Sequence, residues 1–115
     1  AAAGVDSVEV YHVPGAFEIP VMAAGVAKSA RKPDAIICLG LIIKGETNHA
    51  DHIGEAVTDG LMRISLDTGV PCIHEVLTVK DEAQAQVRCI NPETNRGAEA
   101  AHTAVELAVA LKALK

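Results

Sequence analysis

Aromatic side chains are almost absent from this chain. It has one Phe, one Tyr and no Trp among 115 residues, although half of all residues are hydrophobic. Cationic runs are missing too. With ten Lys and Arg against fifteen Asp and Glu, the net charge of −5 removes the basic footprint of a nucleic-acid or polyanion binder. No stretch reaches the roughly 20 apolar residues that a membrane span needs, and no charged segment leads into an apolar signal core. Three cysteines, Cys38, Cys72 and Cys89, show neither a framework spacing nor a CxxC metal pattern, so they read as small buried thiols in a reducing compartment. These absences leave a soluble cytosolic protein as the expectation. The first residues, "AAAGVDSVEV", contain no initiator Met and enter a strand-like pattern at once, so a segment upstream is expected to be missing.

What is present alternates between strand and helix signals. Val8, Val10 and Val13 alternate with polar neighbours up to Pro14-Gly15, and Ala35 to Ile43 and Val70 to Val79 are β-branched runs of the buried parallel type. Between them, Ile19 to Ala30 reads as a helix, and Ile53, Val57, Leu61 and Ile64 recur at helical spacing. Glu82 to Arg88 predicts a short helix capped by Asp81. Gly97 to Lys115 predicts a last one with Ala101, Ala104, Val105, Ala108, Leu111 and Leu114 on one face. Strands separated by amphipathic helices imply a parallel sheet in a single domain, residues 1–115. Three visible strands make a narrow sheet, which calls for another from a missing N-terminus or a neighbour.

Ligands of open α/β sheets bind beyond the carboxyl ends of the strands. Three such ends coincide with polar or special turns: Pro14 to Glu18, Lys44 to His49, and His74-Glu75. In the second, Gly45 permits close backbone approach and Thr47 can cap the following helix, an arrangement that favours an anion such as phosphate but also describes an ordinary N-cap. His49 falls in the first helical turn, where the positive helix end favours a neutral imidazole able to take a proton. The competing reading is an exposed surface histidine. A metal pair of His49 and His52 with Asp51 lacks a further ligand cluster. Arg88 offers a guanidinium of the kind a phosphate clamp needs, and a solvated arginine is its alternative. Glu18 is placed either to accept hydroxyl protons from a polyol or to open a helix.

Taken together, "VPGAFEIP", "LGLIIKGETNHADHI", "VPCIHEVLT", "AQAQVRC" and "NRGAEAAHTAVEL", in this order and at these separations, resemble 6,7-dimethyl-8-ribityllumazine synthase, the penultimate enzyme of riboflavin synthesis. The resemblance covers nearly the whole chain from Tyr11 onward. It implies a three-layer α/β/α, flavodoxin-like fold with a central parallel sheet, of which the first strand and helix are expected to be missing here. It further implies that 5-amino-6-ribitylaminouracil condenses with 3,4-dihydroxy-2-butanone 4-phosphate, releasing phosphate and water, with no cofactor or metal. By the same resemblance, Ala16, Phe17 and Glu18 match the segment that receives the ribityl chain and pyrimidine, and Leu41, Ile42 and Ile43 match the strand end lining the pyrimidine. Glu46, Thr47 and Arg88 match the phosphate-binding positions, and His49 matches the histidine thought to move protons.

The chain also departs from the family pattern. Ala50 replaces an aromatic, His52 a tyrosine, His74-Glu75 a common Phe-Gly, and Arg96 a lysine. His74 would therefore stack or hydrogen-bond where a Phe normally meets the pyrimidine from the adjacent subunit. The resemblance implies a homo-oligomer, pentamer or sixty-subunit shell, with His74 and Arg88 contributed across the interface and riboflavin synthase as a further partner. The scarcity of aromatics suits helix faces buried on neighbours. Other readings are a catalytically weak or inactive shell-forming scaffold, an archaeal-type riboflavin synthase, and a generic phosphate-ligand module.

Overall fold

The computed structural model describes residues 5, 7–45, 48–89 and 96–115, the side chains of Cys89 and Arg96 excepted. A 3-10 turn, Ala16–Glu18, leads into α1 (Ile19–Ala27), followed by β1 (Ile36–Ile43), α2 (His49–Thr68), β2 (Cys72–Val79), α3 (Glu82–Cys89) and α4 (Arg96–Ala113). The two strands pair in parallel, Ile36 opposite Cys72 through Ile43 opposite Val79. Lys44 extends the ladder by donating its N–H to the Val79 carbonyl at 2.7 Å. A βαβ unit with helices on both faces makes the three layers expected of this pattern.

Alternation along the strands distributes the core. Cys38, Ile42 and Val76 pack with Ile19 and Ala23 of α1 and with Ala50, Val57 and Leu61 of α2. Ile73, one residue off in the pleat, instead meets Ala100 and Ala104 of α4 on the other face. The α2 stripe is the one its sequence spacing predicts: Val57 and Leu61 are fully buried, and Ile53 and Ile64 pack beside them. On α4 the buried residue of the first turn is Ala100 rather than Ala101, and Leu114 is 83% exposed. A side chain at Gly40 would begin 3.0 Å from Ile19 Cδ1, so the absence of a side chain there lets α1 start directly over β1. Gly69 ends α2 in the left-handed region, at φ 74°, and its N–H returns to the Ser65 carbonyl.

Three sequence expectations require correction. Val8, Val10 and Val13 form no strand, and Val8 and Val10 are 77% and 73% exposed. Their alternation is strand-like, but no described strand runs alongside to complete a hydrogen-bond ladder. Helix α1 ends at Ala27 instead of Ala30, because Ser29 N–H bonds the Val26 carbonyl in a tightened turn and Ser29 Oγ donates to the same oxygen. His74 and Glu75 are not a strand end but the middle of β2, opposite Cys38 and Leu39. The residues after them, Val76 to Val79, carry on the buried run.

The short helix behaves as its sequence suggests. Asp81 Oδ1 accepts the Gln84 N–H at 2.9 Å, and the Gln84 side-chain oxygen accepts the Lys80 N–H at 2.8 Å, a reciprocal cap at the start of α3.

Candidate active site

Beyond the carboxyl end of β1 lies a cleft of about 510 Å³. The 3-10 turn supplies Ala16, Phe17 and Glu18, β1 supplies Leu41, Ile42 and Ile43, and the first turn of α2 supplies His49. Gly15, Gly45, Ala50 and Ile53 complete the wall. Local chemistry explains why these segments meet. Glu18 N–H bonds the Gly15 carbonyl to close the tight turn, and Pro20, pre-set in φ, opens α1 beside it. Ile19 then buries itself against Gly40, which brings the whole turn to the end of the strand.

The floor of the cleft is where β1 hands over to α2. The N-cap is Asn48, whose side chain makes no capping bond, and His49 is the first helical residue. Helix N–H groups at this end point toward the turn and make it receptive to negative charge. Glu46 and Thr47, the expected phosphate-turn positions, lie outside the described residues, as does any cap from Thr47. Across the turn, Lys44 Nζ stands 3.2 Å from Asp51 Oδ2, with both side chains a little under half exposed.

His74 faces a second cleft, of about 560 Å³, on the other side of α2. It shares this space with Asp51, Gly54, Glu55, Thr58, Asp59, Val76 and Thr78. The imidazole bridges sheet and helix: its Nε2 is 2.9 Å from Thr58 Oγ1, and its Nδ1 accepts the Val76 N–H at 3.2 Å. Arg88, in the last turn of α3, lines neither cleft. Seven of the ten expected site residues thus share one cleft, His74 stands in a different one and Arg88 stands apart.

Cys38 and Cys72 project onto the same sheet face in diagonal register and hydrogen-bond thiol to thiol. The bond from Cys38 lowers the Cys72 thiol to about 7, while Cys38, as proton holder and by burial, is pushed up. Both are free thiols, and diagonal neighbours at roughly 7–8 Å exceed the reach of an unstrained disulfide. Among the described residues, no three of His, Cys, Asp and Glu cluster as metal donors, and no helix is long and apolar enough to cross a membrane.

Sequence reasoning passed over Ile53 as a wall residue and missed the second cleft. Ile53 lies four positions after His49 on one helix face, a spacing that was available to find it. Asp51, Glu55, Thr58 and Asp59 likewise recur at three- and four-residue steps on α2, but nothing in the sequence alone puts His74 opposite them.

Comparison with known proteins agrees with this geometry. The family model described as 6,7-dimethyl-8-ribityllumazine synthase matches residues 1–112. A relative of that name from Thermococcus gammatolerans is 46% identical over 105 residues, covering 91% of this chain and 67% of the relative. One from Thermococcus kodakarensis is 43% identical over 111 residues, covering 96% and 70%.

Proposed function

The chain belongs to the 6,7-dimethyl-8-ribityllumazine synthase family, and from that premise we infer how its clefts serve the condensation of 5-amino-6-ribitylaminouracil with 3,4-dihydroxy-2-butanone 4-phosphate. The observation that carries the reading is the convergence of Ala16–Glu18, Leu41 to Ile43 and His49 on one cleft at the head of β1. The pyrimidine and its ribityl chain occupy the wall made by Phe17, Glu18 and the strand end, with the Glu18 carboxylate accepting hydroxyl protons. The phosphate sits at the start of α2, against Glu46 and Thr47 and the positive end of the helix.

Both substrates bring their own reactive groups, an amine and a carbonyl, so the protein's work is to hold them together and move protons. The amine attacks the carbonyl to give a Schiff base with loss of water. Phosphate then leaves, and ring closure yields the lumazine. His49, beside the bound phosphate, is the group in position to take and return protons through these steps.

His74 and Arg88 enter the same scheme from a neighbouring copy, since neither lines the cleft that its own chain forms. The reading therefore includes a homo-oligomer, a pentamer or a sixty-subunit shell. The outward face of β1 suits such packing, with Ile37, Leu39, Leu41 and Ile43 all exposed and Leu39 64% so. A cytoplasmic location, one domain over residues 1–115, and riboflavin synthase as a partner complete it, resting on the family and not on a feature of the fold.

The test is turnover of the purified protein with both substrates, followed by lumazine absorbance, beside His49→Ala and Arg88→Ala. Turnover that falls in both variants, chiefly through the butanone phosphate KM for Arg88→Ala, is the expected result. A folded oligomer that does no better than the spontaneous reaction would sink the reading and leave a shell-forming scaffold.

A further inference from the structure

We propose that the Lys44–Asp51 ion pair is a positioning device for the anion-binding turn, acting through the turn and His49 and not by touching substrate. The pair closes across residues 45–48, with one partner on the last rung of the β1 ladder and the other in the first turn of α2. Lys44 is itself anchored, because its N–H is bonded to the Val79 carbonyl at 2.7 Å. Asp51 is two residues from His49 and on the helix whose N-terminus faces the phosphate. The 3.2 Å contact therefore fixes the helix start against the strand end, the two bodies between which the phosphate and the reacting carbonyl must be held.

The N-cap leaves this role open, since the Asn48 side chain makes no capping bond to tether the helix start. Asp51 also lines the second cleft, next to His74. It is thus the one side chain shared between the Lys44 contact and the wall that His74 presents, and it sets the distance between the two. A half-exposed pair contributes little to folding, roughly 0–1 kcal/mol, so breaking it shifts geometry without unfolding the chain.

The inference rests on the functional reading above, and steady-state kinetics of the full chain separates the two. Lys44→Met and Asp51→Asn are each expected to raise the KM for 3,4-dihydroxy-2-butanone 4-phosphate about fivefold, the equivalent of about 1 kcal/mol. The KM for 5-amino-6-ribitylaminouracil and the melting temperature should stay near the parent's. Lys44→Arg, and the charge swap Lys44→Asp with Asp51→Lys, should bring the phosphate-substrate KM back toward the parent's. A KM that rises in Lys44→Met but not in Asp51→Asn would mean that Lys44 binds phosphate directly, and it would overturn positioning by the pair. Unmoved KM values, or equal rises for both substrates with a fallen melting temperature, would overturn it as well. Absence of turnover in the parent chain would instead sink the functional reading, and this inference with it.

Discussion

Thr58 Oγ1 and His74 Nε2 stand 2.9 Å apart, joining α2 to β2, and the surrounding bonds settle which of them gives the proton. The Thr58 hydroxyl already donates to the Gly54 carbonyl at 2.8 Å, so toward His74 it accepts. His74 Nδ1 accepts from the Val76 N–H, which leaves Nε2 as the protonated nitrogen. Long-range proton–nitrogen NMR of His74 should therefore show a pyrrole-type Nε2 and a pyridine-type Nδ1. The reverse assignment would refute this network. With both nitrogens committed, the ring offers a ligand only its face. His74→Phe should then keep the pyrimidine KM, while His74→Ala loses stacking worth about 1 kcal/mol, about fivefold in KM.

Leu61 is 1% exposed at the centre of the α1–α2–sheet core. Truncation to alanine should cost about 2–5 kcal/mol, read as a lower urea midpoint with an unchanged slope. A loss below 1 kcal/mol would show that the neighbouring side chains collapse into the space.

The thiol pair predicts a specific pH dependence of stability. Cys72 ionises in the fold at about 7, below its ordinary 9.0. The unfolded chain thus binds more protons between those values, and stability rises with pH across that window. Cys38 acts in the opposite sense: its native thiol is held up, so above pH 9 the unfolded state alone loses that proton and stability falls. Urea unfolding below 7, between 7 and 9, and above 9 should trace this rise and fall. Cys72→Ala should abolish the rise, and a flat profile in the parent would contradict the paired thiols.

Asp81→Ala removes the acceptor at the start of α3, at a cost of about 0.5–2 kcal/mol. Because the helix has only eight residues, the loss should appear as faster amide exchange confined to Glu82–Cys89. Exchange that quickens throughout the chain would instead mean that α3 is part of the global unfolding unit.

The helices and the two buried strands were legible because their side-chain periods are strong: Val57, Leu61 and Ile64 on α2, and the aliphatic runs around Cys38 and Val76. The segment from Val8 to Val13 was misread because periodicity states which face a strand would bury but not whether a partner is there to bond its backbone. The middle of β2 was misread for a related reason. His74-Glu75 breaks the hydrophobic run without breaking the ladder, because Thr58 and the Val76 N–H satisfy the imidazole locally. Of the site, the cleft at the head of β1 was legible through its motifs. The Lys44–Asp51 contact and the second cleft were not, since both depend on how α2 lies against the sheet.

The register of the sheet also bears on how fast the chain folds. Every residue of β1 pairs with one 36 positions later, so no hairpin can zip these strands together from a local turn. Loop closure must come first, and α2 shortens the span that has to close by condensing twenty residues into a rod. The transition state therefore contains α2 docked through Val57 and Leu61 before the strands are fully paired, which makes the helix beside the anion turn a kinetic organiser of the sheet it crosses.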